Sequence, residues 1–95
     1  MPTLEGLKDL LKAILTAQQL TSQRIAEYQQ LVWNASGIQG ANTKQEEILR
    51  ELALDLDFFE PNEAERAMEP SYFGEERART EIQRALQAVD EWRNA

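Results

Sequence analysis

Four carboxylates, Asp55, Asp57, Glu60 and Glu63, fall within one stretch of nine residues, and they are the side chains of this sequence best spaced to do chemistry. Asp55 with Asp57, or Glu60 with Glu63, have the spacing of a general acid–base pair, which needs one carboxyl held protonated beside one that is ionised. Nothing next to them in the sequence would raise one member of either pair. The usual helpers are also missing: there is no histidine and no cysteine, hence no imidazole base, thiolate nucleophile or thiolate metal site. Asp55-x-Asp57-x-Phe59 begins like a calcium loop, but Phe59 stands where a third oxygen ligand belongs, the turn glycine is absent, and the segment reads as helix. No P-loop, GxGxxG or GxSxG appears. The sequence therefore predicts no catalytic residue, no metal site and no cofactor.

The four carboxylates belong to a longer run. From Glu46 to Glu69 nine carboxylates stand against Arg50 and Arg66, a balance of −7 that equals the net charge of the whole chain. The other 71 residues carry eight acids and eight bases and cancel. Glu47, Glu51 and Asp55 follow one another at i, i+4, so like charges stack along one helix face at a cost of a few tenths of a kcal/mol per pair. Asp55, Asp57 and Glu60 crowd the end of the same helix, where the macrodipole is already negative and each acid costs roughly 0.3–1 kcal/mol. Selection for stability would not place acids there, whereas a basic partner would. The upper acids of this helix read equally as a solvated face or as part of a surface for such a partner. The partner-binding candidates are Asp55, Asp57, Phe58, Glu60, Asn62 and Glu63. The same charge argues against direct nucleic-acid binding and against anionic lipid.

A chain of 95 residues is one domain, 1–95, burying about 60–70% of its unfolded surface. Its apolar runs fall far short of the ~20 residues of a membrane span. The start, MPTLEGLKDLL, lacks the basic and apolar regions of a signal peptide. With cysteine absent as well, the expected compartment is the cytoplasm.

Four amphipathic segments position the acids. Leu4, Leu7, Leu11, Ile14 and Leu15 share a helical face behind Thr3 as N-cap, and this first helix ends near Ala17. Thr21 and Ser22 open a second from about Ser22 to Asn34, with Ile25, Tyr28, Leu31, Val32 and Trp33 on its buried side. Gly37 and Gly40 mark a loop. Thr43 and Glu46 have capping-box spacing for a third helix, whose core face is Ile48, Leu49, Leu52, Ala53, Leu56 and Phe59 and which Pro61 stops. Residues 61–71 read as an irregular or single-turn connector. A last helix runs from about Gly74 to Trp92, burying Ala78, Ile82, Ala85, Leu86 and Val89. Phe58 and Phe59 point about 100° apart, so one is core and the other lies under the connector or exposed near the acids. Tyr72 and Phe73 read as a staple for the last helix, and Trp33 and Trp92 as packing residues. The fold class expected is all-α, a small antiparallel four-helix bundle.

At Leu56-Asp57-Phe58-Phe59-Glu60-Pro61-Asn62 the sequence resembles the colicin D-type immunity proteins. The resemblance takes in the Leu-rich first helix, Ser22-Gln23-Arg24-Ile25 opening the second, Arg66 after Glu60-Pro61, and a final helix with Gly74, Glu81-Ile82 and Leu86. It implies a helical inhibitor that covers the basic catalytic cleft of a tRNA-cleaving toxin, its carboxylates standing where RNA phosphates would bind. Carried over by position, Asp57 and Glu60 match acids of the motif. Asn62 stands where the family commonly has an acid, with Glu63 beside it, and the connector is longer. Both departures point to a different cognate toxin. The partner expected is thus a basic nuclease toxin domain. Two other readings compete: an acidic helical adaptor or regulatory subunit that docks a basic protein, and a helical homodimer with its stray aromatics in the seam.

Overall fold

In the computed structural model, which describes residues 1–94, the chain forms five helices: α1 Leu4–Thr16, α2 Ser22–Trp33, α3 Thr43–Leu56, α4 Glu63–Met68 and α5 Glu75–Glu91. The four longer helices close a ring, α1 against α2 and α5, and α3 against α2 and α5. One core runs through it. Leu7, Leu11 and Ile14 meet Ile25, Tyr28 and Val32, then Leu49, Leu52 and Leu56, then Ala78, Ile82 and Val89. The all-α class stands, but the described residues form five helices rather than four, because the connector expected to be irregular or a single turn contains the six-residue α4.

The caps explain where the helices begin. Thr3 accepts the Gly6 amide at 3.0 Å and Thr21 that of Arg24 at 3.3 Å. The capping box of α3 is Asn42 with Gln45, one residue earlier than the expected Thr43 and Glu46. Asn42 is extended, its side chain accepts the Gln45 amide at 2.8 Å, and the Gln45 side chain accepts the Asn42 amide at 3.1 Å. The free amide group of Gln45 donates to the Val89 carbonyl at 2.9 Å. That third bond accounts for a buried polar residue and ties the start of α3 to the end of α5.

Arginines close the other ends. Arg79 donates to the carbonyls of Leu15 and Ala17 at 2.7 and 2.8 Å, and Glu75 accepts the Leu20 amide, so α5 clamps the α1–α2 turn. Arg50 donates to Val32 and Ala35 at 2.9 and 3.2 Å, capping α2. Lys8 reaches Asp90 at 2.8 Å; this bond raises the lysine above its ordinary value and lowers the carboxylate below its own. Burial pushes the Tyr28 hydroxyl well above the usual phenol range while it donates to the Leu49 carbonyl at 2.7 Å.

The buried side of α2 is narrower than expected. Ile25, Tyr28, Gln29 and Val32 are buried, while Leu31, 47% exposed, and Trp33 face outward. At about 100° per residue Leu31 lies well off the line through Ile25 and Val32. Gln29 takes the core position instead, donating to the Ala53 carbonyl at 3.0 Å. Trp92 is also largely exposed rather than packed; Lys44 lies over its ring at 5.3 Å and Asn42 donates to its carbonyl at 2.8 Å.

The end of α3 differs most. The helix stops at Leu56, before Pro61 can act, and finishes in a tight turn in which Asp57, Phe58 and Phe59 donate to Leu54, Asp55 and Leu56 at 3.1–3.2 Å. Phe59 then pairs with Phe73 as an isolated parallel bridge: Phe73 donates to the Phe58 carbonyl at 3.0 Å, and Glu60 donates to the Phe73 carbonyl at 2.9 Å. Backbone bonds to a residue fourteen positions away therefore end this helix. Phe59 and Phe73 are buried and Phe58 is the exposed member of the aromatic pair.

Candidate functional site

The bridge at Phe59 and Phe73 sets how the acids are displayed. Asp55 and Asp57 are both exposed but lie on opposite sides of the end of α3. Asp57, the C-cap, turns toward α2, its carboxylate 3.5 Å from the Gln29 amide group. Asp55 and Phe58 line a shallow depression with Pro70, Ser71, Phe73, Arg77 and Glu81 on the side of α5. Beyond the bridge, Glu60 is half-buried and its carboxylate accepts the Asn62 amide at 3.1 Å. The six candidate residues thus divide over two sides of one end of the molecule instead of converging on a centre.

Two of the six have structural duties that the sequence did not suggest. Asn62 is the N-cap of α4, its side chain accepting the amides of Ala64 and Glu65 at 2.9 and 3.3 Å. Glu63 lies in the first turn of α4, where the macrodipole favours a carboxylate. Stability thus does not disfavour Glu63, and the expected macrodipole cost is absent at Glu60, which lies beyond the C-cap of α3. That cost holds for Asp55 and Asp57, at the end of a helix with no base in its last turn.

Among the described residues, Glu46, paired with Arg50 at 2.9 Å, is the only one of the nine carboxylates in an ion pair. The two bases of the segment explain this. Arg50 is taken up by the α2 carbonyls besides Glu46, and Arg66 donates to the backbone carbonyl of Glu60 at 2.7 Å. Both guanidiniums satisfy backbone carbonyls, and the remaining carboxylates are exposed apart from that of the half-buried Glu60.

Large apolar side chains are exposed on the same segment. Leu54 is 60% exposed beside Glu47 and Glu51, Phe58 is 45% exposed beside Asp55, and Met68 and Tyr72 lie outward further on. Leu54, Met68 and Tyr72 were missed in the sequence. Leu54 carried a signal, since it falls off the line joining Leu49, Leu52 and Leu56, and Met68 carried none. Carboxylates interleaved with exposed apolar groups make a surface that attracts a basic protein at long range and buries area on contact. Among the described residues no group of three or more carboxylates is placed to hold a metal ion, and no helix is long and apolar enough to cross a membrane. No family model matches the chain, and neither does any curated protein or solved structure.

Proposed function

We propose that the chain is a non-catalytic inhibitor of a basic nuclease toxin, of the colicin D immunity kind, acting in the cytoplasm. It would cover the catalytic cleft with carboxylates in the place of RNA phosphates, and it would do so as a four-helix antiparallel bundle carrying α4 on its outside. One observation carries this reading: the arginines of the acidic segment point inward to carbonyls, so its charge is left unneutralised toward solvent. A surface made for stability alone would pair more of those acids, as α5 does with Glu75, Glu81 and Asp90. Asp57 and Glu60 remain the residues assigned to the partner's lysines and arginines, with Phe58 and Asp55 as the adjoining contact.

The test is an inhibition titration against the basic nuclease-like domain encoded by the reading frame next to this one. Equimolar protein should abolish RNA cleavage, and association should slow steeply between low and physiological salt. Cleavage that persists at large excess, with binding confirmed, contradicts occlusion of the cleft. A neighbouring frame without a basic domain, together with binding to some other basic protein, would favour the adaptor reading. The exposed Leu31 and Trp33 on α2 supply an observation for the homodimer reading. A sedimentation mass of twice the chain, unaffected by salt, would support it.

A further inference from the structure

Helix α4 has the polarity of a surface helix turned inside out. It buries none of its residues, and it packs against no other helix. At about 100° per residue, Arg66 projects on one side with Glu63 nearer to it, while Ala64 and Met68 project on the opposite side with Glu65 beside Met68. The structure puts the arginine inward. Its guanidinium donates to the Glu60 carbonyl at 2.7 Å and lies over Gly74 so closely that a Cβ there would be 3.2 Å from Cζ. Met68, opposite, is 83% exposed. An ordinary surface helix buries its apolar stripe and shows its charges to water; this one turns only its arginine inward and leaves its apolar residues in water beside Glu63 and Glu65.

Six residues are also too few to hold a helix unaided, since even helix-favouring peptides need about 12–15. The Asn62 cap supplies two bonds at the start. Arg66 supplies the link to the rest of the fold, because the carbonyl it holds belongs to Glu60, whose amide is bonded to Phe73 across the bridge. An arginine serving as tether, on a helix that adds nothing to the core, preserves the direction in which Met68 points.

We propose that α4 is a docking arm of the nuclease-binding surface, with Arg66 as its positioning residue and Met68 as the apolar contact it offers to a basic protein surface. This rests on the reading above and extends the surface past Glu63 into a segment with no expected role. Charge complementarity selects the occupant. Glu65 stands beside Met68 on α4, and Glu63 and Glu69 border the helix within a segment whose balance is −7, so lysine or arginine stems can lie along the thioether while their heads meet the carboxylates. A second copy of this chain would set those acids against each other.

Two measurements separate the parts of the claim. In free protein, Arg66→Ala should move the Cα chemical shifts of Ala64, Ala67 and Met68 at least halfway toward random-coil values, with those of α3 and α5 unchanged, and Arg66→Lys should recover part of the difference. Unchanged α4 shifts in Arg66→Ala would overturn the positioning role. In the inhibition titration, Met68→Glu should keep the wild-type melting temperature and weaken inhibition at least tenfold, while Met68→Leu stays within threefold. If wild type and Met68→Glu inhibit equally, the docking arm is wrong and the inhibitor reading stands. If wild type itself fails to inhibit, the inhibitor reading falls and the docking arm with it.

Discussion

Helix α5 and the Glu46–Glu69 segment are both rich in acids and arginines, and they use them in opposite ways. On α5, Glu75 pairs with Arg79 at 3.6 Å, Glu81 with Arg77 and Arg84 at 3.8 and 3.9 Å, and Asp90 with Lys8 at 2.8 Å. Only Arg79 among these bases also caps carbonyls, so positive charge remains for Glu75, Glu81 and Asp90, and of the acids of α5 only Glu76 and Glu91 stay without an ion pair among the described residues. In the acidic segment two bases serve nine acids, both are directed at backbone carbonyls, and only Arg50 also holds an acid, Glu46. The comparison teaches that counting ion-pair partners is not enough; what matters is whether those bases are already held by the backbone. Charge on α5 belongs to the fold. Charge on the segment is mostly left without an ion pair among the described residues.

The sharpest way to break this contrast is to neutralise the segment. Asp57→Asn with Glu60→Gln should leave the free protein as stable as before or firmer by a few tenths of a kcal/mol, because Asp57 opposes the macrodipole of α3. The same changes should weaken a nuclease complex by roughly 2–5 kcal/mol for each buried, hydrogen-bonded charge pair they disrupt. Leu52→Ala supplies the opposite signature. Leu52 is almost fully buried, and its truncation should lower stability by about 2–5 kcal/mol while reducing inhibition only through unfolding. Thermal melts of the free variants beside inhibition titrations decide the matter. Acidic variants that melt early yet inhibit fully would make Asp57 and Glu60 structural.

The elements readable in the sequence are those whose signals are local. Thr3 and Thr21 cap helices where hydroxyls precede apolar stripes, and Gly74 and Trp92 bracket α5 as its periodicity requires. The misreadings cluster where a distant residue decides. Asn42–Gln45 and Thr43–Glu46 are the same capping motif in two registers, and only Val89, more than forty positions on, gives Gln45 its third bond. Pro61 is a strong local stop, but Phe73 ends α3 first. No periodic stripe announces α4, because its apolar residues face outward and its tether is a side chain reaching a carbonyl six positions back. That the acidic segment is a mostly exposed and unpaired run of carboxylates was legible from its charge alone. Its division over two sides of α3 was not, because that depends on where the chain turns after Leu56.

A smaller effect sharpens the α5 side of the contrast through pH. The carboxylate of Asp90 is held below its ordinary 3.8 by Lys8, so its contribution to stability is full above that value and is lost as pH falls through the lowered one. Lys8 is held above its ordinary 10.5 by Asp90, and Tyr28 above 10.0 by burial; their contributions are full below those values and are lost as pH rises past them. The melting temperature should therefore fall at both extremes. Asp90→Asn should flatten the acid limb, with a cost near neutrality within about 1 kcal/mol, since the pair is partly exposed and screened. Tyr28→Phe should flatten the alkaline limb. An acid limb unchanged in Asp90→Asn would deny that pair its place in the fold.

The smallest expected effect is the control that separates the two sides of the acidic segment itself. Glu47 stands on the outer face of α3 beside Leu54, with Glu51 one turn on, and no base pairs with it among the described residues. Glu47→Gln removes one like-charge neighbour and should raise stability by a few tenths of a kcal/mol at most. Its charge still contributes to the field that draws a basic partner, so association should slow by a modest factor at low salt and match wild type at high salt. Dissociation should not change. Stopped-flow association measured across salt concentrations against the same nuclease domain gives both numbers. If Glu47→Gln instead speeds dissociation as much as Glu60→Gln does, the contact surface extends up α3 through Leu54. The upper acids of α3 would then belong to the interface rather than to a solvated face.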